Sequence, residues 1–113
     1  MKKSLGKWAT IFKMSSFEIS VDYTKVYGNR TKLSRNLIGV NVGSDTTIGK
    51  VKSTVLNYLN IPYEDLYYIE FRGQRLEDNM TIGALNVSKN VVLVLKCSNY
   101  HELYSRMRRD GRL

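Results

Sequence analysis

The stretch from residue 44 to residue 96 constrains the fold of this 113-residue chain more than any other part. It opens at residues 45–47 with Asp-Thr-Thr, whose short side-chain oxygens are suited to accept a free backbone N–H of a first helical turn. The apolar residues that follow are three and four positions apart, which predicts a helix with one buried stripe. They are Ile48, Val51, Val55 and Leu59, and the polar positions between them include Lys50, Lys52, Ser53 and Asn57. Because Pro62 disfavours helical geometry at the residue before it, we expect the helix to end near Asn60.

Short strands and turns follow this helix. The run Leu-Tyr-Tyr-Ile-Glu-Phe at residues 66–71 is rich in aromatic and β-branched types and predicts a strand. It leads into a turn at residues 72–75, where Gly73 can adopt a positive φ. A short helical turn is predicted at residues 81–85. The continuous apolar run at residues 91–95 predicts a strand buried at the centre of a sheet.

Four motifs occur along this stretch, namely Ile61-Pro62, Phe71-x-Gly73-x-x-Leu76-Glu77-Asp78, Thr81-Ile82 and Leu85-Asn86-Val87. In these motifs and their order the chain resembles ubiquitin and its relatives. The resemblance implies an α+β fold, the ubiquitin-like β-grasp, in which one main helix packs across a mixed sheet of four to five strands. It covers about half of the chain in detail and extends more loosely to the hairpin before it. Fold alone does not set function.

The segment before residue 44 reads as a hairpin. Residues 17–23 alternate strictly between apolar and polar side chains, which predicts a strand with one buried face. A turn is predicted at residues 26–32, and residues 37–43 form the returning strand. This hairpin takes the place of the first two strands of the ubiquitin-like fold, with a longer connection. The connection is basic, and we predict that Lys32 and Arg35 contact an anion or RNA, the alternative being a solvent-exposed loop.

The N-terminal extension, residues 1–16, is basic and amphipathic. Its apolar residues are three or four positions apart, and four lysines lie among them with no acidic residue. Such a segment is typical of a mitochondrial targeting sequence, a membrane-surface helix or a partner-binding arm. Trp8 and Phe12 are the natural anchors. We favour contact with a protein partner over folding back onto the chain's own surface.

The C-terminal extension, residues 99–113, predicts a helix. Asn99 and Glu102 have the spacing of a capping box, and Gly111 is suited to end the helix. An apolar stripe at helical spacing is predicted either to pack on the domain's own sheet or to dock a partner; it comprises Tyr100, Leu103, Tyr104 and Met107. The basic residues of the last turn and beyond are candidate contacts for RNA or an acidic protein; they are Arg106, Arg108, Arg109 and Arg112.

Two departures from the resembled family bear on function. Conjugated ubiquitin-like modifiers end in Gly-Gly soon after the last strand, whereas this sequence contains no Gly-Gly and reads Asn-Tyr-His-Glu at residues 99–102. We therefore expect that the chain is not conjugated to substrates. The resemblance also places Glu70 and Lys96 at two central positions of the apolar patch that ubiquitin presents to its receptors. Because burying unpaired charges costs several kcal/mol, the usual receptor contact is expected to be lost. A one-residue insertion in this strand leaves an alternative register with Ile69 at the patch.

The sequence pattern offers no set of residues suited to catalysis or to metal binding. The chain has one histidine, His101, and one cysteine, Cys97, whereas zinc needs about four ligands and a Cys/His pair needs an orienting group. The carboxylates of Glu77-Asp78 match a plain surface turn of the resembled family, and we assign them no role. We expect no enzyme activity, no metal site and no cofactor. No apolar run approaches the ~18 residues of a membrane-spanning helix.

The charge is segregated along the chain. The net charge is +8, yet residues 44–98 contain six basic and six acidic residues, so the excess lies in the two extensions and the first hairpin. This distribution predicts an anionic partner, which is RNA, lipid or acidic protein, met by the extensions.

Together these observations divide the chain into an extension at residues 1–16, a ubiquitin-like domain at residues 17–98 and a helical extension at residues 99–113. The leading hypothesis is a non-catalytic interaction module that acts as an accessory subunit of a large multiprotein complex, for which a mitochondrial respiratory or ATP-synthase complex is one possibility. The alternative is an RNA-binding subunit of a spliceosome or ribosome. We expect an intracellular protein, in the mitochondrion under the first hypothesis and in the nucleus or cytoplasm under the second.

Overall fold

The computed structural model describes residues 16–27 and 36–112. The helices in this part of the chain are α1 (Thr24–Tyr27), α2 (Ile48–Leu59), α3 (Ile82–Leu85) and α4 (Tyr100–Arg109), and a 3-10 turn spans Glu64–Leu66. The strands are β1 (Phe17–Asp22), β2 (Leu37–Val42), β3 (Tyr67–Phe71), β4 (Gln74–Arg75) and β5 (Val92–Cys97).

The five strands form one mixed sheet in the order β2-β1-β5-β3-β4. The first and last strands of the chain's sheet, β1 and β5, lie side by side and parallel, whereas the other pairs are antiparallel. A parallel pair needs a long crossover, and the segment containing α2 supplies it. The predicted ubiquitin-like β-grasp is confirmed, with one main helix across a five-stranded sheet.

Helix α2 begins and ends where the sequence predicts. The Thr47 hydroxyl accepts the N–H of Lys50 at 3.1 Å, which satisfies one free donor of the first turn. The helix ends at Asn60, whose left-handed backbone (φ 58°) directs its own N–H to the carbonyl of Asn57. The apolar stripe of α2 faces the sheet, and Val51 and Val55 are fully buried.

Side chains alternate between the two faces of the sheet, and the face toward α2 is the core. Ile19, Ile69 and Leu95 are fully buried on this face, and Val40 lies beside Ile19 in register. The cross-strand pair of Ile69 and Leu95 continues the layer. Strand β5 shows this most clearly, because every second residue along it is buried, as the period of two requires.

Three local predictions need correction. Residues 72–75 were expected to form only a turn, but Arg72 (φ 53°) and Gly73 (φ 81°) make a two-residue hairpin loop, so that β4 pairs with β3. Residues 24–27, which include the start of the predicted first turn, form the short helix α1.

Among residues 16–27 and 36–112, each helix is too short or too polar to cross a membrane.

The third correction concerns Lys52, which the helical pattern placed at a polar position. Its side chain is buried, with the residue 4 % exposed. Its Nζ donates to the backbone carbonyl of Tyr67 at 3.2 Å and to Oδ2 of Asp78 at 3.0 Å. Asp78, to which the sequence assigned no role, is therefore the counter-ion of a buried lysine that joins α2 to the turn after β4.

Candidate interaction surface

Helix α4 has well-formed ends that the sequence encodes. The Asn99 side chain accepts the N–H of Glu102 at 2.9 Å, which confirms the predicted cap. At the other end Gly111 has a φ of 73°, and its N–H donates to the carbonyl of Arg108. The N–H of Arg112 donates to the carbonyl of Met107 at 2.7 Å. These two bonds form a Schellman motif, which satisfies carbonyls that the last turn leaves without helical partners.

Helix α4 packs against its own domain. Leu103 is 8 % exposed and belongs to the core cluster, and Met107 packs partly buried against the same cluster. Of the two alternatives for the stripe, intramolecular packing therefore applies to Leu103, whose side chain is almost fully buried. Tyr100 and Tyr104 lie in the same stripe but are 43 % and 49 % exposed, and their ring centroids are 6.4 Å apart.

Arg106 fixes α4 to the turn before β3. Its guanidinium donates two parallel hydrogen bonds to the carboxylate of Asp65, at 2.9 and 3.0 Å, and its Nε donates to Glu102 at 2.9 Å. The planar fork of arginine favours this bidentate geometry. The same contact lowers the pKa of the Asp65 carboxyl below its usual value. Arg106 therefore serves the internal structure, and its charge is already matched by two carboxylates.

Two tyrosine hydroxyls complete the attachment of α4. Tyr63 donates to Oδ2 of Asp110 at 2.5 Å, and Tyr100 donates to the backbone carbonyl of Lys25 in α1 at 3.0 Å. The Asp110 carboxylate also accepts from the guanidinium of Arg109, and these hydrogen bonds lower the pKa of Asp110 to about 2. The hydrogen bond to Asp110 correspondingly raises the pKa of Tyr63. Helix α4 is thus attached at its first turn, its middle and its last turn.

A groove of about 410 Å³ lies between α4 and the domain, and we name it the α4 groove. Its volume falls within the range of small-molecule and side-chain pockets. The part contributed by α1 and the loop after α2 is mainly apolar but includes Asn60 and Tyr63, and α4 contributes both buried and exposed residues. Lining residues include Val26, Ile61, Pro62, Tyr104, Met107 and Arg112.

The open face of the sheet, opposite α2, carries paired charges. Glu70 lies on this face and Ile69 is fully buried, so the register with Glu70 at the patch is the one observed. Lys96 donates to Glu70 at 3.1 Å, and this ion pair raises the pKa of Lys96. The Arg75 guanidinium stacks 4.5 Å from the ring centre of Tyr68. At these positions the open face of the sheet therefore carries an ion pair and not an apolar patch.

The remaining predicted site residues fall into two groups. Trp8, Phe12, Lys32 and Arg35 lie outside the described residues. Arg108, Arg109 and Arg112 are exposed at the end of α4. Arg109 pairs with Asp110 at 2.9 Å, whereas Arg108 and Arg112 form no salt bridge within residues 16–27 and 36–112. The positive charge of Arg112 nevertheless helps to lower the pKa of Asp110.

Sequence reasoning missed two features of this surface. It treated Arg106 as a free cation, although Glu102 stands four residues before it, a spacing at which opposite charges meet on a helix. It also missed Tyr63 and the α4 groove, because both depend on where α4 docks. No pattern within α4 itself indicates that site.

Comparisons with known proteins agree with this architecture. A family profile described as "Ubiquitin family" matches residues 30–99, which is more than half of the chain. Among solved structures the chain is similar to Caldiarchaeum subterraneum ubiquitin, with a TM-score of 0.60 and 19 % sequence identity over 75 % of this chain and 96 % of that chain. At this identity the structural likeness shows the fold alone. The comparison with curated protein sequences gives no match.

Proposed function

The chain belongs to the ubiquitin family, and on that basis we propose that it is a non-catalytic interaction module that acts as an accessory structural subunit of a large multiprotein assembly. Ubiquitin-like domains in general support protein interaction, and the fold is typically non-catalytic. The finer role, a fixed subunit held by its extensions, is our proposal.

The attachment of α4 to the domain carries this proposal. In a conjugated modifier the chain after the last strand is a thin tail, whereas here the corresponding residues form a capped helix whose Leu103 lies in the core. The helix adds a rigid surface with two exposed tyrosines and an apolar groove. A rigid surface next to a domain with a charged open face suits a protein that contacts fixed neighbours rather than one that is transferred to substrates.

The extensions supply the rest of the proposed attachment. Trp8 and Phe12 are proposed anchors to neighbouring subunits, and Tyr100, Tyr104 and Met107 are proposed contacts on α4. Given the basic, amphipathic character of residues 1–16, the first assemblies to test are the mitochondrial respiratory and ATP-synthase complexes; a nuclear or cytoplasmic complex is the alternative.

Purification at native expression level tests the proposal. The chain is tagged, isolated gently with and without nuclease, and its co-purifying proteins are identified by mass spectrometry. A fixed set of proteins that survives nuclease supports a structural subunit and identifies the compartment. Isolation of the chain alone contradicts the proposal.

Matched variants locate the contacts. Leu103→Ala is unsuitable because it alters the core, so Tyr104→Glu is the better change on α4. Tyr58→Glu is its control, since Tyr58 is a 69 % exposed helical tyrosine on α2. We expect Trp8→Ala and Tyr104→Glu to reduce co-purification and Tyr58→Glu to leave it unchanged. If the two tyrosine variants co-purify with the same proteins to the same extent, α4 is not part of the interface.

A second candidate function is RNA binding, and it is favoured by the exposed Arg108 and Arg112, which form no salt bridge within the described part of the chain. RNA binding weakens steeply with salt because each neutralised phosphate releases counterions. The combined change Arg108→Gln and Arg112→Gln is expected to reduce both RNA affinity and its salt dependence if this function applies. Loss of the co-purifying proteins on nuclease treatment would favour it over the first proposal.

A further inference from the structure

We propose that the α4 groove is the docking site for an acidic amphipathic segment of another protein, whose apolar side chains enter the groove and whose carboxylates meet the cations around it. This inference rests on the proposed function and names the surface and the partner chemistry. The apolar lining, the attachment of the walls and the charges at the rim point to it.

The groove is preformed, because both of its sides are held by contacts within the domain. Arg106 joins α4 to the turn before β3 through two hydrogen bonds to Asp65. Tyr100 joins the first turn of α4 to the carbonyl of Lys25 beside Val26. The groove therefore loses little conformational entropy when a partner binds. This favours binding even where the apolar contact is small.

The lining suits side chains of a protein. Aliphatic groups from three elements face the same space, namely Val26 of α1, Ile61 of the loop after α2 and Met107 of α4. Tyr104 stands at its exposed margin. Single-stranded RNA is recognised by stacking on aromatic faces along a continuous run of cations. Three further tyrosines line the groove, but its described lining contains a single cation, so it lacks the continuous run of cations that RNA binding uses and favours apolar side chains over nucleotides.

The charges around the groove select an acidic partner. None of its described lining residues is acidic, and Arg112 is one of them. Lys25 is exposed beside Tyr100, and Arg108 stands one turn beyond Tyr104 on the same side of α4. The nearby carboxylates are already occupied, since Asp65 binds Arg106 and Asp110 binds Arg109. Arg112 shares the Asp110 carboxylate with Arg109, but Lys25 and Arg108 form no ion pair within residues 16–27 and 36–112, so the net charge at the rim is positive. Complementary charge on a partner raises specificity.

Selection from a random library of displayed 12-residue peptides on the full chain tests the inference. We expect enriched peptides to combine apolar residues at helical spacing with Asp or Glu. One enriched peptide is then synthesised, together with a twin in which each acid is replaced by Lys, and binding is followed by fluorescence anisotropy. The Tyr104→Glu variant is expected to bind the acidic peptide about 30-fold more weakly, as for loss of one aromatic anchor, and the lysine twin is expected to bind more weakly still.

The Tyr58→Glu variant is the matched control and is expected to keep the affinity of the unaltered chain. Failure to enrich any peptide, enrichment of basic peptides, or equal binding to the two tyrosine variants overturns the inference. Binding of an oligouridylate that is lost in Tyr104→Glu, with no acidic peptide enriched, assigns the groove to RNA and also overturns it. If the chain still co-purifies with a fixed set of proteins in any of these cases, the proposed function stands and only this surface is wrong.

Discussion

Replacing Leu103 by Ala is expected to release α4 from the domain. Leu103 is the α4 residue that lies in the core, at 8 % exposure. The change removes three carbon atoms, each worth about 0.8 kcal/mol when buried. A residual cavity adds to this loss, but the adjoining α4 groove lets neighbouring side chains relax, so the cost lies near the lower end of the range for Leu→Ala, at about 2–3 kcal/mol.

Amide hydrogen exchange in α4 is the suitable assay, because it registers both local release of the helix and global unfolding. A loss of about 2 kcal/mol corresponds to roughly 30-fold faster exchange. We expect this acceleration at the α4 amides whose N–H groups bond within the helix. Leu37→Ala is the control, since Leu37 is 43 % exposed on the edge strand, and it should leave α4 exchange unchanged. An acceleration below about threefold in Leu103→Ala would refute the inference that core contact holds α4 in place.

Three further predictions concern stability and ionisation. Lys52→Met leaves a buried carbonyl without its donor and is expected to lower the free energy of unfolding in urea by about 1–3 kcal/mol, whereas the exposed Lys50→Met is expected to change it by less than about 0.5 kcal/mol. Gly83→Ala places a Cβ 2.9 Å from a backbone oxygen and is expected to lower the free energy of unfolding by about 1–3 kcal/mol. Gly43→Ala is the control, because its Cβ meets no atom within 4 Å, and it is expected to leave stability unchanged. Equal thermal midpoints for the two variants would contradict this prediction. The pKa of Asp110 falls from 3.8 in the unfolded chain to about 2 in the folded chain. Its contribution to stability is therefore present above pH 3.8 and is lost as the pH falls toward 2. An NMR titration of its carboxyl carbon with a midpoint near 3.8 in the folded chain would disprove the contacts of Asp110 with Arg109 and Tyr63.

The fold was predictable because many independent positions specify it. The stripe of α2 follows from a period of 3.6, its cap at Thr47 from a short side-chain oxygen before the stripe, and β5 from a continuous apolar run. Helix α4 was equally predictable as an element, from the capping box and from Gly111. Each of these features can be identified from a short stretch of sequence.

The position of α4 was not predictable, because it depends on partners distant in sequence. Arg106 reaches Asp65 across 41 positions, and Tyr63 reaches Asp110 across 47. Nothing in the stripe distinguishes Leu103, which enters the core, from Tyr104, which stays exposed. The stripe indicates which side of α4 is apolar, and tertiary packing decides which part of that side is covered.

Lys52 shows the same limit within α2. A lysine between apolar positions normally indicates a solvated face, yet here the stem is buried and its ammonium group is satisfied by a carbonyl and by Asp78. A buried lysine requires such partners, and they lie 15 and 26 residues away. Only the assembled sheet brings them to its Nζ.

The measurement that tests the central claim most directly is the sedimentation of the chain from a gently prepared lysate at native expression level, before and after nuclease. The account predicts that most of the chain sediments in a particle far larger than its own 13.0 kDa, that nuclease leaves the particle intact, and that Tyr104→Glu shifts the chain toward the free pool more than Tyr58→Glu does. A chain that sediments as a free 13.0 kDa protein in both conditions would contradict the account.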